Sequence, residues 1–131
     1  METLKSYTDF EQSKKLVEIL PVESADMIFQ LGEDKYADSI KVPLTKKHWE
    51  KMMPAINPCW SLAALLNAIP QEIFCGDYVI NITKGRINKW VLTYDHCVNR
   101  NHSNYGLSSC ADTLVDACVE MIVKLHKQNL L

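Results

Sequence analysis

The sequence predicts an α+β fold, a mainly antiparallel sheet of two hairpins with N-terminal, central and C-terminal helices packed on one face. Three observations support this prediction. Apolar residues recur at helical spacing near both ends and in the middle of the chain, they alternate with polar residues in the segments between, and short turn sequences separate the alternating segments. The chain has 131 residues, 47% of them hydrophobic and 23% charged, so we expect a single domain spanning residues 1–131.

The three helices are predicted from their capping residues and from apolar periodicity. Thr8 and Glu11 have the spacing of a capping box before the first helix, and Pro21 ends that helix. Ser61 is the expected N-cap of the central helix, which Pro70 ends. The C-terminal helix carries apolar residues at alternating spacings of four and three, namely Ala111, Val115, Cys118, Ile122 and Leu125.

Two hairpins are predicted from alternating runs on either side of turn residues. The first lies between residues 24 and 42. In the second, the apolar residues of both strands share one side of the sheet: Tyr78, Ile80 and Ile82, then Trp90, Leu92 and Tyr94. Sharing a side requires a loop with an odd number of residues, a condition that a three-residue loop around Gly85 meets. Cross-strand pairs such as Ile80 with Trp90 are then expected.

Composition and charge exclude several classes of protein. The formal net charge is −2, which removes the basic footprint of a protein that coats DNA or RNA. No apolar run reaches the length of about 18 residues that a membrane span needs, and residues 1–6 lack the apolar core of a signal peptide. We therefore expect a cytoplasmic protein without a membrane segment or a cofactor, whose five cysteines are thiols.

Cys59 is the best nucleophile candidate, because it lies two residues before the N-cap of a predicted helix, where backbone dipoles lower a thiol pKa. His96 and His48 are the candidate bases, although neither is close to Cys59 in sequence. The alternative is that Cys59 and Trp60 form an apolar lead-in that packs the helix onto the core. Free cysteine is among the most buried residue types, so the sequence favours the packing role and no residue is assigned as catalytic.

A metal site is a further candidate at the end of the second hairpin, where His96 and Cys97 are adjacent. Neighbouring residues of a strand point to opposite faces, so both cannot bind one ion without a bend. His102 and Cys110 would have to complete the ligands, at a spacing unlike any common zinc module. The sequence therefore predicts no metal.

Two surface segments are candidate binding sites. The polar loop after the second hairpin is the better recognition surface, since loops on rigid scaffolds often carry binding. Its candidate residues are Asn99, Arg100, Asn101, His102, Asn104 and Tyr105. The 84–90 hairpin combines Lys84, Arg86 and Lys89 with Trp90, a pattern found in proteins that bind single-stranded nucleic acid by stacking. For both segments a solvated connection is the simpler interpretation, and the negative charge disfavours nucleic acid as the partner.

Three stretches resemble a known group of proteins. Residues 58–70, 116–131 and 7–27 are similar to small uncharacterised proteins of prophages and mobile elements in gut Bacteroidetes. The likeness covers the start, middle and end of the chain, whereas residues 29–53 look variable. It implies no activity and no catalytic residue, because its recurring motifs fall on predicted helix faces.

These observations lead to three hypotheses on function. The first is a non-enzymatic phage or mobile-element accessory protein that contacts a host or phage protein or a second copy of itself. Tyr7, Val115, Val119 and the last residues are expected to leave apolar surface for a homodimer. The second is a small cysteine-dependent hydrolase or transferase that uses the cysteine and histidine candidates above. The third is a nucleic-acid binder that uses the 84–90 hairpin.

Overall fold

The computed structural model describes residues 5–30, 37–40, 44–53, 56–85, 87–96 and 107–131. These residues form four α-helices and two antiparallel sheets, so the predicted α+β class is confirmed. The chain separates into two compact units, an N-terminal unit (Thr3–Ala68) and a C-terminal unit (Ile69–Leu131). The two predicted hairpins lie in different sheets, one in each unit. The single domain expected from the chain length stays a prediction.

The N-terminal unit is built around a three-stranded antiparallel sheet. Its elements are α1 (Phe10–Val17), a 3-10 turn (Val22–Ser24), β1 (Met27–Gln30), β2 (Asp38–Ser39), α2 (Lys46–Met52), β3 (Ile56–Cys59) and α3 (Leu62–Ala68). The strand order is β2-β1-β3, and Met27 pairs with Ser39 on one side and with Cys59 on the other. An isolated bridge between Tyr7 and Ser61 then joins the segment before α1 to the segment after β3.

The N-terminus of α1 is capped one residue later than the sequence predicts. The carboxylate of Asp9 accepts a hydrogen bond from the Gln12 backbone N–H at 2.8 Å, and the Gln12 side-chain oxygen accepts one from the Asp9 N–H at 3.0 Å. The predicted capping box of Thr8 with Glu11 is therefore wrong. Thr8 is fully buried and its hydroxyl bonds to other core groups, so the neighbouring aspartate takes the cap position.

Hydrogen bonds to Asp26 and Ser24 fix the start of α3. Ser61 caps the helix as predicted, because its hydroxyl oxygen accepts from the Ala64 N–H at 3.2 Å. The Asp26 carboxylate accepts from the Ser61 N–H at 2.8 Å and from the Ser61 hydroxyl. Trp60 is fully buried, and its indole N–H donates to the Ser24 hydroxyl at 3.0 Å. These bonds set the direction in which the chain leaves the strand and enters the helix.

The C-terminal unit packs a 14-residue helix on a four-stranded antiparallel sheet. Its elements are β4 (Glu72–Ile73), β5 (Tyr78–Lys84), β6 (Trp90–His96), β7 (Ser108–Ala111) and α4 (Leu114–Lys127), with the strands in the order β4-β5-β6-β7. The helix lies mainly against β6 and β7. The Ser109 hydroxyl donates to the Ala117 carbonyl at 2.8 Å, and the Lys124 ammonium donates to the Ser108 carbonyl at 2.6 Å.

The second predicted hairpin is confirmed in the faces of its strands and wrong in its loop. Ile80 pairs with Tyr94, and the predicted apolar residues of β5 and β6 share one side of the sheet. Lys84 pairs with Trp90, which leaves a loop of five residues instead of three, so the expected pair of Ile80 with Trp90 does not form. The longer loop is accommodated because Asn88 adopts a left-handed conformation, with φ of 58°, that asparagine tolerates better than most residues.

The apolar surface that the core leaves open differs from the prediction. Val115 is fully buried and Val119 is 6% exposed, so the expectation that these two residues leave spare apolar surface is wrong. The physical reason is that α4 buries seven of its 14 residues, on more than one side of the helix. The large apolar side chains that remain exposed in the described part of the chain are Leu66, Phe74, Val79, Ile82, Ile87 and Leu131.

The described cysteines are free thiols in two kinds of environment. Cys59 and Cys118 are buried, whereas Cys75 and Cys110 are exposed. Burial raises the pKa of Cys118 to about 12. Among the described helices, none has the length and the apolar composition needed to cross a membrane.

Candidate functional site

Cys59, the candidate nucleophile, is the last residue of β3 and is fully buried. Its thiol donates to the Thr8 carbonyl at 3.4 Å and lies 3.5 Å from the Thr8 hydroxyl. That hydroxyl lies 2.7 Å from the Ser13 hydroxyl and accepts from the Trp60 N–H at 3.2 Å. We call Cys59, Thr8 and Ser13 the Cys59 cluster. Its polar groups satisfy one another within the N-terminal unit.

The surroundings of Cys59 keep its thiol protonated. Burial raises the pKa of Cys59, and hydrogen bonds with Thr8 and Ser13 offset only part of this rise. The negative charge of Asp26 acts in the same direction as burial. The thiolate, not the thiol, is the nucleophile in cysteine chemistry, so these surroundings suit a packing role.

The two candidate bases occupy other places in the fold. His48 is exposed and takes part in the N-terminal cap of α2. Its backbone N–H donates to the Thr45 hydroxyl oxygen at 3.2 Å, and its ring Nδ1 lies 3.0 Å from the same hydroxyl. His96 is the last residue of β6 in the C-terminal unit, and its ring packs edge-on against Tyr78 at a centroid distance of 5.2 Å. The contacts of the Cys59 sulfur described above are with the threonine before α1, not with an imidazole.

A shallow depression lies beside His96 at the end of the β5–β6 pair. It has a volume of about 200 Å³ and is lined by Val79, Ile80, Asn81, Asp95 and His96. The Asn81 side-chain N–H donates to the Asp95 carboxylate at 3.0 Å, so these two polar groups already bind each other. Small-molecule sites have volumes of roughly 300–1,000 Å³. The depression is therefore too small for most organic substrates.

The remaining polar candidates fall on segments that the structure does not describe. Residues of the predicted recognition loop, Asn99, Arg100, Asn101, His102, Asn104 and Tyr105, lie outside the described residues, as does Cys97. Within residues 5–96 and 107–131, apart from the undescribed gaps, no three His, Cys, Asp or Glu side chains group so as to hold a metal ion. The loop stays a predicted recognition surface.

The 84–90 hairpin directs two of its three basic side chains to partners within the same unit. The Lys84 ammonium lies 5.5 Å from the centre of the Trp90 ring, and Lys89 pairs with Asp112 at 3.7 Å. Arg86 lies outside the described residues. Lys84 already lies over one face of the Trp90 ring and Lys89 is paired with a carboxylate, so this arrangement gives the nucleic-acid hypothesis no support.

A row of apolar side chains along β5 is the surface feature that the sequence did not identify as a site. Tyr78, Ile80 and Ile82 lie on one side of the sheet, and the Phe74 ring packs edge-on against Tyr78 at a centroid distance of 6.0 Å. We call these four residues the β5 row. Phe74 is 41% exposed and Ile82 is 37% exposed, while Tyr78 and Ile80 are half-buried.

The β5 row is exposed because α4 packs on β6 and β7 rather than on β5. The helix packs mainly on β6 and β7, where Leu92 and Tyr94 are fully buried on the same side of the sheet as the row. The alternating apolar residues of β5 were a visible signal in the sequence. The exposure of these residues could not be read from the sequence, because it depends on which strands the C-terminal helix covers.

No protein-family model, curated protein or solved structure matches the chain. The likeness to proteins of phages and mobile elements therefore stays a prediction. Two features of the chain's own geometry bear on its function, namely the buried Cys59 cluster and the exposed β5 row.

Proposed function

We propose that this chain is a non-enzymatic accessory protein that acts through protein–protein contacts, and that the β5 row is its contact surface. The observation that carries the proposal is the exposure of Phe74 and Ile82 in a unit whose helix α4 packs on β6 and β7. The resemblance to proteins of phages and mobile elements suggests the accessory role.

The conformation of Phe74 supports the choice of surface. Phe74 has φ of 54° and Cys75 has φ of 56°, a left-handed conformation that is rare for residues other than glycine and asparagine. Holding a bulky residue in such a conformation costs on the order of 1–3 kcal/mol. The ring gains only a partial burial in return, since it remains 41% exposed. A partner that covers the ring would bury the part of its surface that is exposed to solvent.

The exposed part of the row can contribute energy to a protein contact. Complete burial of a Phe or Ile side chain is worth about 1.5–3 kcal/mol. Because Phe74 and Ile82 each retain more than a third of their surface in contact with solvent, a partner gains about 1 kcal/mol from each.

Site-specific photo-crosslinking in the cell tests this function. A photoreactive amino acid in place of Ile82 is expected to form discrete adducts with protein, and Phe74→Lys is expected to abolish them. Leu66 in α3 has nearly the same exposure, 38% against 37%, and is the matched control position. Mass spectrometry identifies the linked peptides. If Ile82 forms no protein adduct, or no more than Leu66, the proposed contact function is wrong.

A further inference from the structure

The outer edge of β5 is paired over only part of its length. The short strand β4 pairs with the first two residues of β5, and the Ile80 N–H then donates to the Gln71 carbonyl at 2.9 Å. The residue before Gln71 is Pro70, which has no N–H and whose carbonyl accepts from the Tyr94 hydroxyl. In the described part of the chain, no strand pairs with the outer edge of residues 81–84.

The main-chain groups of Ile82 and Lys84 point to this open edge. In an antiparallel sheet, successive residues of a strand bond alternately to the neighbour on one side and on the other. Ile80 bonds toward β4, and Tyr94, which lies opposite Ile80 on β6, donates away from β5 to the Leu107 carbonyl. Ile82 and Lys84 follow at intervals of two and face the same way as Ile80. Each offers one donor and one acceptor, roughly 7 Å apart along the strand.

The side chains leave this edge accessible. All four residues from Asn81 to Lys84 are exposed. A lysine on an edge strand commonly protects that edge against pairing. The Lys84 ammonium, however, lies 5.5 Å from the centre of the Trp90 ring on β6, the strand on the opposite side of β5. The charge is therefore held away from the open edge.

We propose that an extended segment of another protein adds to this sheet as a strand beside residues 82–84 of β5. Its main chain bonds with the outward N–H and C=O groups of Ile82 and Lys84, whose two-residue repeat matches that of a strand. This inference rests on the proposed contact function and names the form in which the partner binds.

The side chains of β5 define the sequence pattern of this segment. Residues opposite each other in neighbouring strands lie on the same side of a sheet. The segment residue opposite Ile82 lies beside a side chain that is 37% exposed, on the side of the β5 row, so an apolar residue is favoured there. The residue opposite Thr83 lies on the other side, with Asn81, whose side chain donates to Asp95. A polar residue is favoured at that position, and the segment alternates apolar and polar residues.

Binding of a synthetic peptide to two variants of the full chain tests the strand pairing. The probe is acetylated, amidated Thr-Val-Thr-Val-Thr-Val, and two-dimensional NMR follows the amide signals of the protein. Lys84→Pro removes one outward N–H, whereas Lys84→Ala removes the same side chain and keeps that N–H. We expect saturable changes at Ile82, and binding at least about fivefold weaker for Lys84→Pro than for Lys84→Ala. A probe with N-methylated valines, which lack the pairing N–H, is expected not to bind.

Hydrogen exchange of the unmodified chain provides a test that needs no variant. The Ile82 and Lys84 amides are expected to exchange at least about 100-fold faster than those of Asn81 and Thr83, which face β6. Equal protection of the four amides would show that the edge is already closed and would overturn the proposal. So would a peptide that does not bind, or one that binds Lys84→Pro as tightly as Lys84→Ala while circular dichroism shows that both variants are folded.

Crosslinking from position 82 separates this proposal from the contact function. Adduct yield is expected to fall at least about fivefold in the Lys84→Pro background and to persist with Lys84→Ala. If the adducts persist equally in both, the contact function stands and the strand pairing is wrong. If the linked peptide comes from this chain itself, the choice of another protein is wrong. If Ile82 crosslinks to nothing, the contact function itself fails.

Discussion

The Cys59 cluster of the N-terminal unit buries polar hydroxyls, whereas the β5 row of the C-terminal unit exposes large apolar side chains. The cluster buries two hydroxyls and a thiol, because each finds a hydrogen-bond partner within 3.5 Å. The row leaves an isoleucine and a phenylalanine exposed, because the helix that covers the sheet lies on other strands. In these two places the available tertiary partners, and not polarity alone, decide which side chains are buried.

The largest expected effect compares two residues that face each other in the C-terminal sheet. Leu92 of β6 pairs with Ile82 of β5 on the same side, but Leu92 is fully buried and Ile82 is 37% exposed. Leu92→Ala leaves a cavity beneath α4 and is expected to lower the free energy of unfolding by about 3 kcal/mol. Ile82→Ala is expected to lower it by less than about 1 kcal/mol. Urea unfolding of both variants, at concentrations where the chain is monomeric, measures the difference.

Equal losses for these two substitutions would mean that the β5 row belongs to the core of the monomer. The contact function would then lose its main support. A small loss for Ile82→Ala at low concentration, together with a larger loss at high concentration, would indicate that copies of the chain associate through the row, because association stabilises the folded state by mass action.

The next effect tests the Cys59 cluster. Thr8→Val keeps the shape of the side chain but removes the hydroxyl that contacts Cys59 and Ser13 and accepts from the Trp60 N–H. Leaving a buried N–H without a partner costs about 1–3 kcal/mol, so we expect a loss of about 2 kcal/mol in urea unfolding. Thr83→Val, at an exposed position of β5, is the control and is expected to change stability by less than about 0.5 kcal/mol. A loss no larger than that of the control would show that the cluster does not hold the N-terminal unit together.

The smallest effect is the pH dependence that buried thiols produce. The pKa of Cys118 is raised from 9.0 to about 12, so the folded thiol stays protonated while the unfolded thiol ionises. The stabilisation is complete below about pH 9 and is lost as the pH rises from there toward 12, by on the order of 1 kcal/mol at pH 10. We expect Cys118→Ala to lower the free energy of unfolding at pH 7.5. As the pH rises from 7.5 to 10, the free energy of unfolding of this variant should fall by on the order of 1 kcal/mol less than that of the unmodified chain.

Urea unfolding at these two pH values gives the comparison. Cys110→Ala, which removes an exposed thiol from β7, is the control and should keep the pH dependence of the unmodified chain. If Cys118→Ala retains the full dependence as well, the buried thiol of α4 is not its source.

The local features of the fold were predictable because they depend on neighbouring residues. Ser61 is the cap of α3, and the alternation from Tyr78 to Ile82 gave the correct face of β5. The cap of α1 was wrong by one residue, because Thr8 and Asp9 are both good capping residues and only the burial of Thr8 decides between them. The loop length of the second hairpin was wrong because parity allows three residues and five equally well.

The candidate site was less predictable, because it depends on contacts between residues far apart in sequence. The hydroxyl partners of Cys59 come from a segment about 50 residues earlier in the chain, as its hydrogen bond with Thr8 shows. No local pattern around Cys59 indicates them. The exposure of Ile82 likewise depends on where α4 packs, and a helix with apolar residues on several sides can pack on any pair of strands.

The position of Lys124 has a consequence for how sheets from different copies can join. The Leu107 carbonyl accepts from the Tyr94 N–H, and hydrogen-bonding directions alternate along a strand, so the Ser108 carbonyl points away from β6 toward the open edge of β7. The Lys124 ammonium occupies this acceptor at 2.6 Å. A strand from another molecule that approached this edge would meet a positive charge in place of a free carbonyl. Lateral growth of the sheet into a fibril is thus opposed at β7.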